Sequence, residues 1–228
     1  MQLFVIFDKI FLVMKMKVIN DPFFELTKTQ INKIYSLLGV HTYTFIKGQE
    51  ILPTMKYQNI IVILLKGNAQ IIYTEYNGNE IVLEKLHEND LYGSIFSGVN
   101  NENCQVMAKE DTKVLVIDYD NLINSNNLKH NYFNIFLRNI FDIINNKFND
   151  SAERIRILEK KQIRDKLLEY FEIQYKKSHS RKIFIPFSLK DLADYLAVNR
   201  SAMFRELRHL KDEKFIQVKN NIILLLYK

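Results

Sequence analysis

Residues 122–161 contain neither glycine nor proline, and Leu137, Phe141, Ile144, Phe148, Ser151, Ile155 and Leu158 recur there at alternating intervals of four and three. That is the a/d series of a helix whose stripe packs on another helix, with Ser151 its one polar member. A lone helix of this length is stabilised mainly by what its stripe buries. One chain supplies only one such helix, so a parallel homodimer is the economical expectation, with a dimerisation helix at 126–161 and those seven residues at its interface. Phe133, Phe136, Ile140 and Ile143 lie off the seam and are expected to pack on the domain before it. The competing expectation is a helix-sheet contact within one chain along the whole length. Replacing seam residues by Asp separates the two.

The stretch before the helix reads as short strands. Ile60-Ile61-Val62-Ile63-Leu64-Leu65 is a buried strand ending at Lys66-Gly67, and Ala69-Gln70-Ile71-Ile72-Tyr73 resumes the pattern. Tyr76-Asn77-Gly78-Asn79 is a hairpin turn, because Asn and Gly accept positive φ. Ile81-Val82-Leu83 and Val114-Leu115-Val116-Ile117 are further strands. Short strands with regular turn signals predict a sandwich or barrel-like β domain over 21–125.

Residues 188–226 carry the functional signal. Ser188 followed by Asp191 starts a helix as a capping box does. Leu189, Leu192, Ala193 and Leu196 then share one face. Ala197-Val198-Asn199 breaks the period, and Asn199 is a good N-cap for a helix opening at Arg200. On that helix Met203, Leu207 and Leu210 share one face, while Arg200, Phe204, Arg205 and Arg208 share another. Helix, three-residue turn, helix is helix-turn-helix spacing. A recognition helix presents its N-terminal side chains to base edges. Arg suits this because its planar fork can donate to guanine O6 and N7 together, so Arg200 and Arg205 are the expected base readers. Ser201 is expected on a base edge or a phosphate. Phe204 meets either a thymine methyl or the protein itself. Arg208, a turn further on, is expected on a phosphate, which positions without specifying. Two strands around Asn220-Asn221 complete a wing, on which Lys219 is a further phosphate contact.

Charge agrees with this layout. Residues 151–228 hold 18 Lys/Arg and 10 Asp/Glu of the chain's 32 and 26, which leaves 14 and 16 for the first 150. The cationic excess lies at the C-terminal end, as for a domain with a polyanionic partner. The first twenty residues are apolar runs broken by Asp8-Lys9, too interrupted for the roughly 20 apolar residues a bilayer span requires. They are read as an N-terminal extension over 1–20, with Met14 or Met16 as alternative starts. A single cysteine, Cys104, excludes a disulfide framework and a cysteine-built cluster, and a reducing cytoplasm is the expected compartment.

With these features in place, the sequence resembles the Crp/Fnr family of transcription regulators from about Phe45 to the C-terminus. The segment SLKDLADYLAVNRSAMFRELRHLKDEKFIQV is similar to the family's helix-turn-helix and wing. FIKGQEI and VILLKGNAQIIYTEYNGNEIVLEKLHENDLYGS are similar to its β-roll, with Gly48, Gly67, Gly78 and Gly93 where that pattern has turn glycines. The resemblance implies an α+β chain. Its N-terminal part is a β-roll (a double-stranded β-helix, jelly-roll-like), followed by a long dimerisation helix and a winged helix-turn-helix at 162–228. It implies a homodimer on double-stranded DNA, with RNA polymerase as a further partner and a small-molecule effector in the β-roll. Members with a glutamate after the first reading arginine differ from this chain, which has Ser201, so a different DNA site is implied.

The same resemblance bears on the effector, whose pocket it implies at Gly93, Ser94, Ile95, Asn103 and Cys104. Cyclic-AMP binders carry Gly-Glu and a later Arg-Ser. Here Gly93 precedes Ser94, the later region reads Glu102-Asn103-Cys104, and no arginine occurs before Arg138. A cyclic phosphate would lack its cationic partner and meet Glu102, so cyclic AMP is not expected. One cysteine cannot hold an iron-sulfur cluster. His41 and His87 are the available axial ligands for a haem but read better as surface histidines, and Cys104 reads as a plain thiol. No cofactor or metal is expected. The chain shows no phosphate loop, metal-ligand cluster or nucleophile elbow, so no enzyme is expected either. The rival class is a ligand-sensing, cyclic-nucleotide-binding-like module that regulates a protein partner without DNA. Such a module has no need of Arg200, Arg205 and Lys219.

Overall fold

The structure is a computed structural model, and it describes residues 20–51, 59–93, 103–185, 188–219 and 221–227. Residues 1–19 of the N-terminal extension, Ser94 and Ile95 lie outside the described residues. The chain divides into two compact units, Met1–Asn145 and Asn146–Lys228.

In chain order the first unit runs through α1 (Lys28–Leu38), β1 (His41–Phe45), β2 (Ile60–Lys66), β3 (Ala69–Thr74), β4 (Glu80–Leu86), β5 (Leu91–Gly93), β6 (Cys104–Ala108), β7 (Thr112–Asp118) and α2 (Tyr119–Ile123). A 3-10 turn at Ser125–Lys129 leads into the long helix α3 (Asn131–Leu158), in which the division between the units falls. The strands form two antiparallel sheets, β1-β7-β2-β5 and β4-β3-β6.

The apolar run in β2 has a simple cause: both faces of that strand are covered. Val62 and Leu64 point into a cluster with Ile71, Val106 and Ala108 of the other sheet. Ile61 and Ile63 point the opposite way, into a cluster with Ile34 and Leu38 of α1 and with Phe133, Phe136, Ile140 and Ile143 of α3. The off-seam residues of the long helix therefore pack on the β domain, as their phase predicts. Each fully buried side chain of this kind contributes about 1.5–3 kcal/mol. Local caps fix the helix entries. Thr27 and Gln30 form a reciprocal capping box at α1, and Asp118 accepts from the Asn121 N–H at 3.0 Å to start α2.

Two glycines are required by geometry. Gly67 turns from β2 to β3 at φ +93°, and a Cβ there would lie 2.9 Å from the Thr112 Cα. Gly93 departs from expectation. It is no turn residue but the end of β5, paired with Ile61, and a Cβ would run into the Ile60 carbonyl oxygen.

The second unit contains α4 (Ile163–Ser178), β8 (Lys182–Phe184), α5 (Leu189–Tyr195), α6 (Arg200–Asp212), β9 (Ile216–Lys219) and β10 (Ile222–Leu225). Its strands form one antiparallel sheet in the order β8-β10-β9. The expected hairpin is thus present, widened by the strand that precedes the helix pair. Leu167 and Phe171 of α4, Leu192 of α5, Met203 and Leu210 of α6, and Ile216 and Ile223 of the sheet make one core.

Candidate nucleic-acid interface

The helix pair is built by short-range bonds. Ser188 accepts from the Asp191 N–H at 3.2 Å, and its hydroxyl donates to the Asp191 carboxylate at 2.6 Å. Leu192, Ala193 and Leu196 are buried, which fixes the face that α5 turns inward. The chain then reverses through Ala197 at φ +50°, a left-handed conformation costly for a residue with a Cβ. Asn199 caps α6, accepting from the Ala202 N–H at 3.2 Å.

The two faces of α6 divide as the spacing predicts. Met203, Leu207 and Leu210 are buried, while Arg200, Ser201, Phe204, Arg205 and Arg208 are exposed. Those five, with Asn199, line one open depression on the protein surface. Three of its six residues are arginines and none is acidic. The positive end of the helix dipole adds to the same field. Glu206 of the same helix pairs instead with Arg164, at 3.4 Å. The Arg200 guanidinium carbon stands 5.7 Å from the centre of the Phe204 ring. Lys219 is exposed at the end of β9, outside this depression.

Two features here escape sequence reasoning. The Ser201 hydroxyl donates to the Asn199 side chain at 2.6 Å, so its one proton is already used. The spacing puts Arg200 and Phe204 on one face as an i, i+4 pair, but it does not say that the guanidinium sits over the ring.

The seven seam residues of α3 fall into two groups. Leu137 and Ile144 are half-buried against the β-domain cluster. Phe141, Phe148, Ile155 and Leu158 are exposed, at 62%, 71%, 57% and 37%, and Ser151 is exposed beside them. Such a row of large apolar side chains on one helix face is unusual for a surface.

Of the expected effector pocket, Gly93, Asn103 and Cys104 are described. Gly93 is the close strand contact above. Asn103 is exposed, and its carbonyl accepts from the Thr74 N–H at 2.8 Å. Cys104 is buried in the β-domain cluster, and burial pushes its thiol pKa up, the opposite of a reactive thiolate. Tyr92 lies in the same cluster with its hydroxyl buried and without a hydrogen-bond partner among the described residues, and burial raises its pKa. No sequence pattern distinguishes it from its apolar neighbours. His41 is exposed on β1, and His87 is exposed beside Asp90, 3.6 Å away.

No family model matches the chain, and no curated protein matches it. Solved structures do. A structure of CprK complexed with OCPA is 19% identical, with 86% of this chain and 91% of that chain covered and a TM-score of 0.61. A mutant of CooA from Carboxydothermus hydrogenoformans is 17% identical, with 88% and 87% covered and a TM-score of 0.55. The chain has the Crp/Fnr regulator fold. In a Crp/Fnr fold, the paired sheets of the first unit are the β-roll and the C-terminal unit is the winged helix-turn-helix. Among the described residues no helix is long and apolar enough to cross a membrane.

Proposed function

We propose that this protein is a sequence-specific DNA-binding transcription regulator that acts as a homodimer through α3. The observation that carries the reading is the division of α6, with Met203, Leu207 and Leu210 in the core and three arginines exposed opposite them. Arg200 and Arg205 read base edges, and Arg208 and Lys219 hold phosphates. The exposed row from Phe141 to Leu158 supports pairing of two copies, with Leu137 and Ile144 at its half-buried margin. RNA polymerase is the partner a DNA-bound regulator acts on.

A small-molecule effector in the β-roll is the second part of the proposal. CprK, solved with OCPA bound, supports a ligand-controlled use of this fold. Cyclic AMP is not that effector, because the first unit offers its phosphate no arginine before Arg138. An effector acts only by binding one dimer state better than another.

Selection from a random duplex library tests the reading. The protein should enrich a half-site repeated with two-fold symmetry. Arg200→Ala and Arg205→Ala should each abolish preference at a base position. Failure to enrich any sequence, together with retained binding to a protein partner, would favour the rival module reading.

A further inference from the structure

Resting on that DNA-reading role of α6, we infer that Arg200 and Phe204 form one composite reader, which recognises a guanine together with a methyl-bearing pyrimidine in the adjacent base pair. The two side chains are one turn apart, and the guanidinium lies over the ring at 5.7 Å from its centre. Phe204 is 38% exposed on the face opposite the core, which Met203, Leu207 and Leu210 already fill. An aromatic ring left at a surface beside three arginines has a contact face and no protein partner for it among the core residues.

Geometry sets what that face meets. An arginine donating to guanine O6 and N7 together lies in the plane of that base. The Phe204 ring, one helical turn from Arg200 with its centre 5.7 Å from that guanidinium carbon, then stands beside the neighbouring base pair, about 3.4 Å along the duplex. The apolar group that B-DNA offers in the major groove is the C5-methyl of thymine. The 5-methyl of methylated cytosine occupies the same position on its ring. The ring also limits the rotamers of Arg200, so the fork meets guanine with less freedom to lose. Ser201, its hydroxyl proton given to Asn199, adds no competing donor at this step.

The experiment compares the wild-type protein with Phe204→Ala, a surface change whose folding is checked by matching thermal melts. The half-site each protein selects from random duplexes is determined first. The wild-type operator is then synthesised with uracil replacing the thymine beside the guanine that Arg200 reads, which removes one methyl and nothing else. The wild-type protein should lose about fourfold in affinity, the value of one buried methyl. Phe204→Ala should be indifferent to the swap, should no longer select an A·T pair at that position, and should still select the guanine. A 5-methylcytosine there should restore wild-type binding. Equal sensitivity of both proteins to uracil, or no sensitivity in either, overturns the composite reader while leaving DNA reading intact. Absence of any selected sequence instead removes the DNA-reading role itself.

Discussion

Arg164 of α4 holds Glu213, the residue that closes α6, through a guanidinium–carboxylate hydrogen bond of 3.0 Å from Nη1 to Oε1. The same guanidinium stands 5.0 Å from the centre of the Phe215 ring and reaches Glu206 as well. One side chain thus ties the long first helix of the C-terminal unit to the end of α6 and to the approach to β9. The hydrogen bond from Arg164 holds the Glu213 carboxyl below the usual carboxylate range, against the smaller opposing effect of desolvation. A carboxyl with a lowered folded pKa contributes stability that is full above its unfolded value and lost as pH falls through the folded value. Arg164→Ala should therefore lower the melting temperature at pH 7 by roughly 3 °C. The gap to wild type should narrow in acid, below about pH 4.3. Thermal melts from pH 7 to pH 3 check this, and a constant gap would contradict it.

The dimer prediction is sharpened by where the seam residues sit. Ile144 is half-buried against the β-domain cluster, so an Asp there would disturb the first unit whether or not two chains pair. Phe148 and Ile155, at 71% and 57% exposed, are free of that difficulty. Phe148→Asp with Ile155→Asp should leave a folded monomer, because two charges buried between helices without partners would cost more than the seam returns. Sedimentation velocity reads the outcome. A dimer of unchanged size and stability would show that the row does not pair.

Much of this arrangement was legible in the sequence, and the reasons are local. The two faces of α6 follow from spacing alone, since Met203, Leu207 and Leu210 must share a side. The division of α3 into an inward set from Phe133 to Ile143 and a seam also follows from phase. What was not legible depends on neighbours distant in sequence. Gly93 looked like a turn glycine because a turn and a close strand approach both favour a residue without a Cβ. Only its pairing with β2 distinguishes them. Leu137 and Ile144 share the seam's phase, yet only the packed sheet reveals that they face it in part.

Those non-local contacts give two opposed expectations in β5. Gly93→Ala places a methyl against the Ile60 carbonyl, a backbone atom that cannot rotate away, and should cost about 2 kcal/mol or more. Tyr92→Phe removes a buried hydroxyl that has no hydrogen-bond partner among the described residues, and should raise stability by about 1 kcal/mol. Denaturant titration of both variants checks the pair. A loss of stability on Tyr92→Phe would mean that the hydroxyl is satisfied in solution.

Cyclic AMP should show no heat of binding in titration calorimetry at micromolar concentrations. A cyclic phosphate taken out of water needs a cation or a set of hydrogen-bond donors to replace its hydration. The first unit reaches Arg138 before it has an arginine, and that side chain pairs with Glu25 at 2.8 Å. Micromolar binding would require donors from elsewhere and would reopen the assignment of the effector.

Lys219 and Arg205 should separate cleanly, because they sit on different elements and, in the proposed reading, meet different parts of the duplex. Lys219, exposed at the end of β9, lies outside the depression that α6 lines, which fits the proposed contact with backbone charge. Lys219→Ala should weaken every duplex about equally and reduce the slope of log affinity against log salt by about 1. Arg205, inside the depression, has a planar fork suited to a base edge. Arg205→Ala should cost about 1–3 kcal/mol on the selected site and much less on random duplex. Fluorescence anisotropy on both duplexes at several salt concentrations reads the two effects at once. If Lys219→Ala altered sequence preference while Arg205→Ala changed only the salt slope, the roles of wing and helix would have to be exchanged.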